Sequence, residues 1–126
     1  MKPILTLGWL LAVLPRLNFA APAVTTYERD CATLAAAKTT DAERLHQLFQ
    51  LDWDRSLIES PEFATEVGVP GQDHRWSDIS LPAIARRKRE LQAPLKVLRA
   101  INRAQLNATD QLSYDLFRNN QEQAVE

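Results

Sequence analysis

Leu45, Phe49, Trp53 and Leu57 stand four residues apart, with Leu48 and Ile58 widening the stripe they draw. A strand alternates its faces every two residues and cannot produce that spacing, so the pattern predicts an amphipathic helix over roughly 41–59. Thr40-Asp41-Ala42-Glu43 precedes it and has the form of a capping box, in which hydroxyl and carboxylate each satisfy an orphan backbone N–H. Ser60-Pro61 restarts the count, because proline suits the first helical position, where its missing N–H would be unbonded anyway. Phe63, Ala64 and Val67 then make one short apolar turn, and Gly68 is placed to end it in a left-handed conformation.

The pattern lapses from Val69 to Asp78, where Pro70-Gly71 marks a turn and polar residues follow. Ser80 is the next expected cap. Beyond it Ile84, Leu91, Leu95, Leu98 and Ile101 fall on one side of a helix, interrupted by Pro94. That proline removes a backbone hydrogen bond and crowds the carbonyl of Glu90, which predicts a kink or a break. Asn107-Ala108-Thr109-Asp110 signals a last start, with Leu112, Leu116, Phe117 and Tyr114 opening a new apolar face. No β-branched alternation of useful length and no internal repeat occurs. The fold class predicted is all-α: three to four amphipathic helices joined by a Gly/Pro loop.

Part of the apolar content belongs to a leader. Lys2, the run from Ile4 to Leu14 and Ala21-Pro22-Ala23 have the form of a secretory signal over residues 1–23, with cleavage after Ala20 a close competitor. The apolar run is about 11 residues against the roughly 20 that span a bilayer, so an uncleaved anchor is the weaker alternative. Export to the periplasm or beyond is the expected localisation. Residues 24–39 are expected to be a loosely ordered N-terminal segment, and residues 40–126 the helical region. Cys31 is the only cysteine, which excludes an internal disulfide and leaves a free thiol or an intermolecular pair.

Charge is nearly balanced overall, 15 Lys and Arg against 16 Asp and Glu, and loss of Lys2 and Arg16 with the leader tilts it mildly acidic. Its placement is uneven. Asp41–Glu66 is acid-rich, whereas Arg86–Arg103 is basic with Glu90 as the sole acid. Arg86-Arg87-Lys88-Arg89 resembles a nucleic-acid patch in composition, but a solvated helix face turned towards the acidic helix accounts for it better, and export removes the protein from nucleic acid. The acidic and basic helices are expected to pack side by side through their apolar faces.

Candidate chemistry is sparse. His46 and His74 lie far apart in sequence, His46 is followed by Gln47 with Gln50 four residues on, and no cysteine pair can substitute for a second imidazole. There is no G-x-S-x-G elbow and no Gly-rich phosphate loop, and Asp52 and Asp54 sit two apart on a helix, hence on different faces. Asp73-His74-Arg75-Trp76 has the groups to bind an anion or an aromatic ligand, but a turn anchored by one buried tryptophan explains the stretch more simply. No catalytic, cofactor-binding or metal-binding residue is assigned.

"ESPEFATEVGVPGQDHRWSDIS" followed by "ARRKRELQAPLKVLRAINRAQLNATDQLSYDLF" resembles the N-terminal part of a large bacterial family, domain of unknown function 885, over roughly residues 40–120. The resemblance implies exported or cytoplasmic helical proteins several times longer than this chain, similar to zinc metallopeptidases of the neurolysin-like kind, with an H-E-type zinc helix well downstream. No zinc-binding segment of that kind occurs in this sequence, so the resemblance implies the N-terminal portion of a metallopeptidase-like protein without catalytic machinery. It implies zinc only for the full-length family, and none in this chain. The missing C-terminal part or another protein is then the expected partner. The alternative is a freestanding exported helical module that binds a protein partner through an apolar groove.

Overall fold

A computed structural model describes residues 22–126; the expected signal, apart from Pro22 and Ala23, lies outside the described residues. Among the described residues there are six α-helices, one 3-10 turn and no strand. They are α1 (Thr26–Ala36), α2 (Asp41–Glu59), α3 (Pro61–Glu66), α4 (Leu81–Glu90), α5 (Gln92–Arg99), a 3-10 turn at Arg103–Gln105, and α6 (Ala108–Val125). The all-α expectation holds, with more helices than the three or four foreseen. None is long and apolar enough to cross a membrane, among the described residues.

Residues 24–39 depart from the loosely ordered segment expected of them. They are not loose. Thr25 and Glu28 form a capping box, the Thr25 hydroxyl accepting from the Glu28 amide at 3.2 Å and the Glu28 carboxylate accepting from the Thr25 amide at 2.7 Å. Cys31 and Leu34 are buried in the core, and Tyr27 packs against it. Cys31 is a free thiol, as expected, but only 1% of it is exposed and burial pushes the thiol up to about 11, so it sits in packed core and is not placed for an intermolecular disulfide.

Helices α1 and α2 run antiparallel, as the early Tyr27–Asp52 and late Leu34–Arg44 hydrogen bonds require. Arg44 fastens their shared end. Its guanidinium donates to the carbonyls of Leu34 (3.2 Å), Ala37 (2.6 Å) and Ala100 (3.2 Å), so one buried cation serves the C-terminal ends of both α1 and α5. Carbonyls at a helix C-terminus are short of backbone donors, Leu34 having only the cap amide of Ala37 at 3.2 Å, and the helix dipole favours positive charge there. Helix α5 lies centrally, against α1, α2 and α6. Leu45, Leu48, Val97 and Leu98 are almost completely excluded from solvent, and Phe49 meets Phe117 of α6 edge to face at 5.1 Å.

The expected punctuation is present. Thr40, Ser80 and Asn107 each accept a hydrogen bond from the third helical amide, Pro61 opens α3, and Gly68 and Gly71 adopt φ of 79° and 85°. The break foreseen near Pro94 falls at Leu91, which separates α4 from α5. Proline cannot donate to the Glu90 carbonyl, and the ring is itself buried. On α6 the foreseen face is only partly right: Tyr114 is buried and Phe117 packs against the core, but Leu112 and Leu116 point to solvent.

Candidate functional site

The strongest concentration of interacting charge lies where α4 crosses the C-terminal half of α2 and the start of α1. Glu90 is 1% exposed. Its Oε2 accepts from Arg55 Nε at 3.1 Å and Nη2 at 2.9 Å, and both its oxygens lie 3.2 Å from Arg86 Nη1. Arg86 also forks onto Glu59 at 2.8 and 2.7 Å, with Arg87 3.3 Å from the same carboxylate. Arg89 reaches Glu28 at 2.9 Å. The Arg55 guanidinium stands 4.8 Å above the Tyr27 ring, and the Tyr27 hydroxyl donates to Asp52 at 2.9 Å.

The electrostatics follow from these contacts. Arg86 holds the Glu59 carboxyl below its ordinary range, and the Arg89 hydrogen bond holds Glu28 down at about 2. The two carboxylates raise the pKa of Arg86 above its ordinary value, and burial does the same to the Tyr27 phenol. Glu90 has its charge fully answered, and no buried side-chain polar atom lacks a partner among the described residues. The network binds α4 to α2 and α1, with no nucleophile beside a free base. Next to it an open cavity of about 360 Å³ is lined by Tyr27, Leu51 and Ile58, with Asp30 and Asp54 at its edge.

The residues singled out from sequence are scattered. His46 lies on the exposed side of α2, and its Nε2 stands 2.8 Å from Oδ1 of Asp110, tying α2 to α6. His74 is exposed in the loop between α3 and α4. Asp52 and Asp54 take different partners, Tyr27 and Gln50. The zinc implied by the resemblance for a longer chain needs about three convergent protein ligands. No three His, Cys, Asp or Glu side chains converge in that way among the described residues, so these residues do not fit a zinc site.

Trp76 departs from its expected burial. It is 83% exposed, and so does not anchor the loop. The loop is held instead by Ser77, whose amide and hydroxyl donate to the Glu62 carboxylate at 2.9 and 2.7 Å, and by the turns at the two glycines. Arg75 folds back onto Gln72, its guanidinium donating to the side-chain oxygen at 3.0 Å. Ile79 and Leu81 are as exposed as Trp76, so the segment presents large apolar groups outward.

Residues 61–126, from α3 to the end of α6, match the family model described as "Bacterial protein of unknown function (DUF885)". The chain belongs to this family. Neither a curated protein nor a solved structure matches it. The matched stretch begins after α2, so the groups that α1 and α2 bring to the charged network, Glu28, Arg55 and Glu59, lie outside it, whereas Arg86, Arg87, Arg89 and Glu90 lie within it. Among these, Glu90 carried a readable signal: it is the sole acid in a strongly basic stretch, which calls for a cationic partner once buried. Tyr27 and Arg55 carried none.

Proposed function

We propose that this chain is a non-catalytic, N-terminal helical part of an exported DUF885 protein related to zinc metallopeptidases, whose zinc-bearing machinery is supplied by another part. One observation carries the reading. Trp76, Ile79 and Leu81 are each more than 80% exposed within the family-matched stretch, although the helices around them are well packed. Covering such side chains stabilises by about 1.5–3 kcal/mol each, so three of them left in water between Trp76 and Leu81 fit a surface made for a further structural element. Among the described residues the charged groups are taken up in ion pairs that hold helices together, which fits a supporting role.

Reading the coding DNA downstream of Glu126 tests this directly. An H-E-x-x-H segment there supports the proposal, and an unrelated neighbour with no such segment overturns it. The complete chain incubated with zinc and a peptide library is expected to release no product above background; chelator-sensitive turnover would contradict a non-catalytic role. A second reading, a freestanding exported module with a protein partner, is favoured by the open cavity beside α1 and α2, outside the family-matched stretch.

A further inference from the structure

The cavity beside the charged network does not end there. A second cavity, of about 370 Å³, shares Asp30 and Leu51 with it and continues towards the far end of α1 and α2. Together they follow the crevice between the two antiparallel helices. Tyr27, Asp30 and Leu34 on α1, and Leu51, Asp54 and Ile58 on α2, recur at three- and four-residue intervals, the spacing of one helix face each. From Thr26 to Ala37 on one side and Gln47 to Ile58 on the other, the walls run about 16 Å at roughly 1.5 Å per residue. A third helix of about three turns matches that length, and a helix laid into a two-helix crevice is a recurrent mode of peptide recognition.

Charge selects the kind of helix. Arg55 and Arg86 are occupied by Glu90 and Glu59, so they offer nothing to an incoming group. Among the described residues Asp30 has no ion-pair or hydrogen-bond partner, and Asp54 only accepts from Gln50. Both are exposed at the edge of the groove. The charge left unanswered there is therefore negative, above an apolar floor of Leu34, Leu51 and Ile58. We propose that the α1–α2 groove docks an amphipathic helix from a protein partner, one that seats aliphatic side chains on that floor and presents Lys or Arg to Asp30 and Asp54. An anionic membrane surface would be repelled by the same carboxylates. The inference is independent of the peptidase-like reading above, because α1 and α2 lie outside the family-matched residues.

The test uses the complete chain and a labelled basic peptide, LKKLLKLLKKLLKL, with LEELLELLEELLEL as its acidic counterpart, followed by fluorescence anisotropy. The basic peptide is expected to bind and the acidic one to fail, with affinity falling as salt is raised. The Asp30→Asn/Asp54→Asn double variant should bind about tenfold more weakly while melting as the parent does, since exposed carboxylates contribute more to partner choice than to folding. Ile58→Gln, at a residue 57% exposed, keeps the test decisive should the double variant fold poorly, and it too should weaken binding. Trp76→Gln should leave binding unchanged. The proposal is overturned by equal binding of both peptides, by parental affinity in Ile58→Gln, by no binding to the complete chain, or by sedimentation showing that the groove variants abolish self-association instead, which would make a second copy the occupant.

Discussion

Helices α4 and α5 follow one another with only Leu91 between them, yet they are held by opposite means. Helix α5 buries Ala93, Pro94, Leu95, Val97 and Leu98. Helix α4 buries only Ala83 and Glu90, and turns Leu81 and Ile84 towards solvent. Its inward side is fixed by guanidinium–carboxylate pairs: Arg86 and Arg87 to Glu59, Arg89 to Glu28, and Glu90 to Arg55. Non-directional apolar burial holds the first helix, and a set of directional pairs holds the second. The difference teaches that the large apolar residues of α4, Leu81 and Ile84, are not what attaches it to this chain. They remain available to something else.

Truncating each kind of attachment should sharpen the contrast. Leu98 is 2% exposed and sits amid the core, so Leu98→Ala should cost about 2–5 kcal/mol in urea unfolding, from lost transfer energy and the cavity left behind. A loss below 1 kcal/mol would mean that α5 is not the centre of the core. Glu90→Gln comes next. It removes the charge that Arg55 and Arg86 share, although Arg86 keeps Glu59 and Arg55 keeps the Tyr27 ring. The expected cost is about 2–3 kcal/mol, at or below the range for breaking a buried pair because both arginines retain some solvent. Hydrogen exchange should show the loss concentrated in α4 amides. Uniform loss across α4 and α5 would mean that the two helices are held by the same means.

Acid should separate the two helices more gently. Glu28 has a folded value of about 2 against an ordinary 4.5, and Glu59 is likewise lowered. Depressed carboxyl values contribute stability that is complete above the unfolded value and lost as pH falls towards the folded one. The ties from α4 to α1 and α2 should therefore hold above about pH 4.5 and loosen between there and about pH 2, while the apolar packing of α5 is indifferent to protons. Amide protection followed by NMR down that range should fall in α4 before α5. The reverse order would place the acid-sensitive contacts elsewhere.

Much of this arrangement was readable in the residues, and the failures share causes. Capping residues and prolines act within a few positions of themselves, so Thr40, Ser80, Asn107, Pro61 and the Leu91–Pro94 break were legible without tertiary knowledge. Helix α1 was overlooked because its inward face is short, though Thr25 and Glu28 spelled a capping box as plainly as Thr40 and Glu43 do. The heptad Ile84, Leu91, Leu98 suggested one continuous buried stripe. That stripe holds on α5 and just beyond it, where Leu95, Leu98 and Ile101 are buried, but on α4 the inward positions are Ala83 and Glu90 rather than Ile84, a register one residue earlier, and one residue turns a helix face by about 100°. Hydrophobicity alone could not choose between those registers, since the deciding contacts are ion pairs from residues far off in sequence. Trp76 failed for a related reason: its size argues for burial only where a covering surface exists, and the described residues provide none. The charged network was half-visible, in the lone acid of a basic stretch, whereas the α1–α2 groove emerges only when two distant segments are laid side by side.

The smallest effect on stability is the most informative about function. Replacing Trp76, Ile79 and Leu81 together by serine removes three large apolar groups that touch little, since each is more than 80% exposed. Surface substitutions of this kind usually change stability by no more than about 0.5 kcal/mol each. Urea unfolding should therefore barely move, in contrast to Leu98→Ala, where one residue of similar size is lost from the core. Solubility should rise, because large apolar groups exposed on a folded chain promote association. A substantial loss of stability would show that the segment 76–84 already has a partner within this chain, and the contrast between α4 and α5 would then be one of degree. An unmoved midpoint with better solubility would leave that face as a surface whose apolar character serves a contact outside these helices.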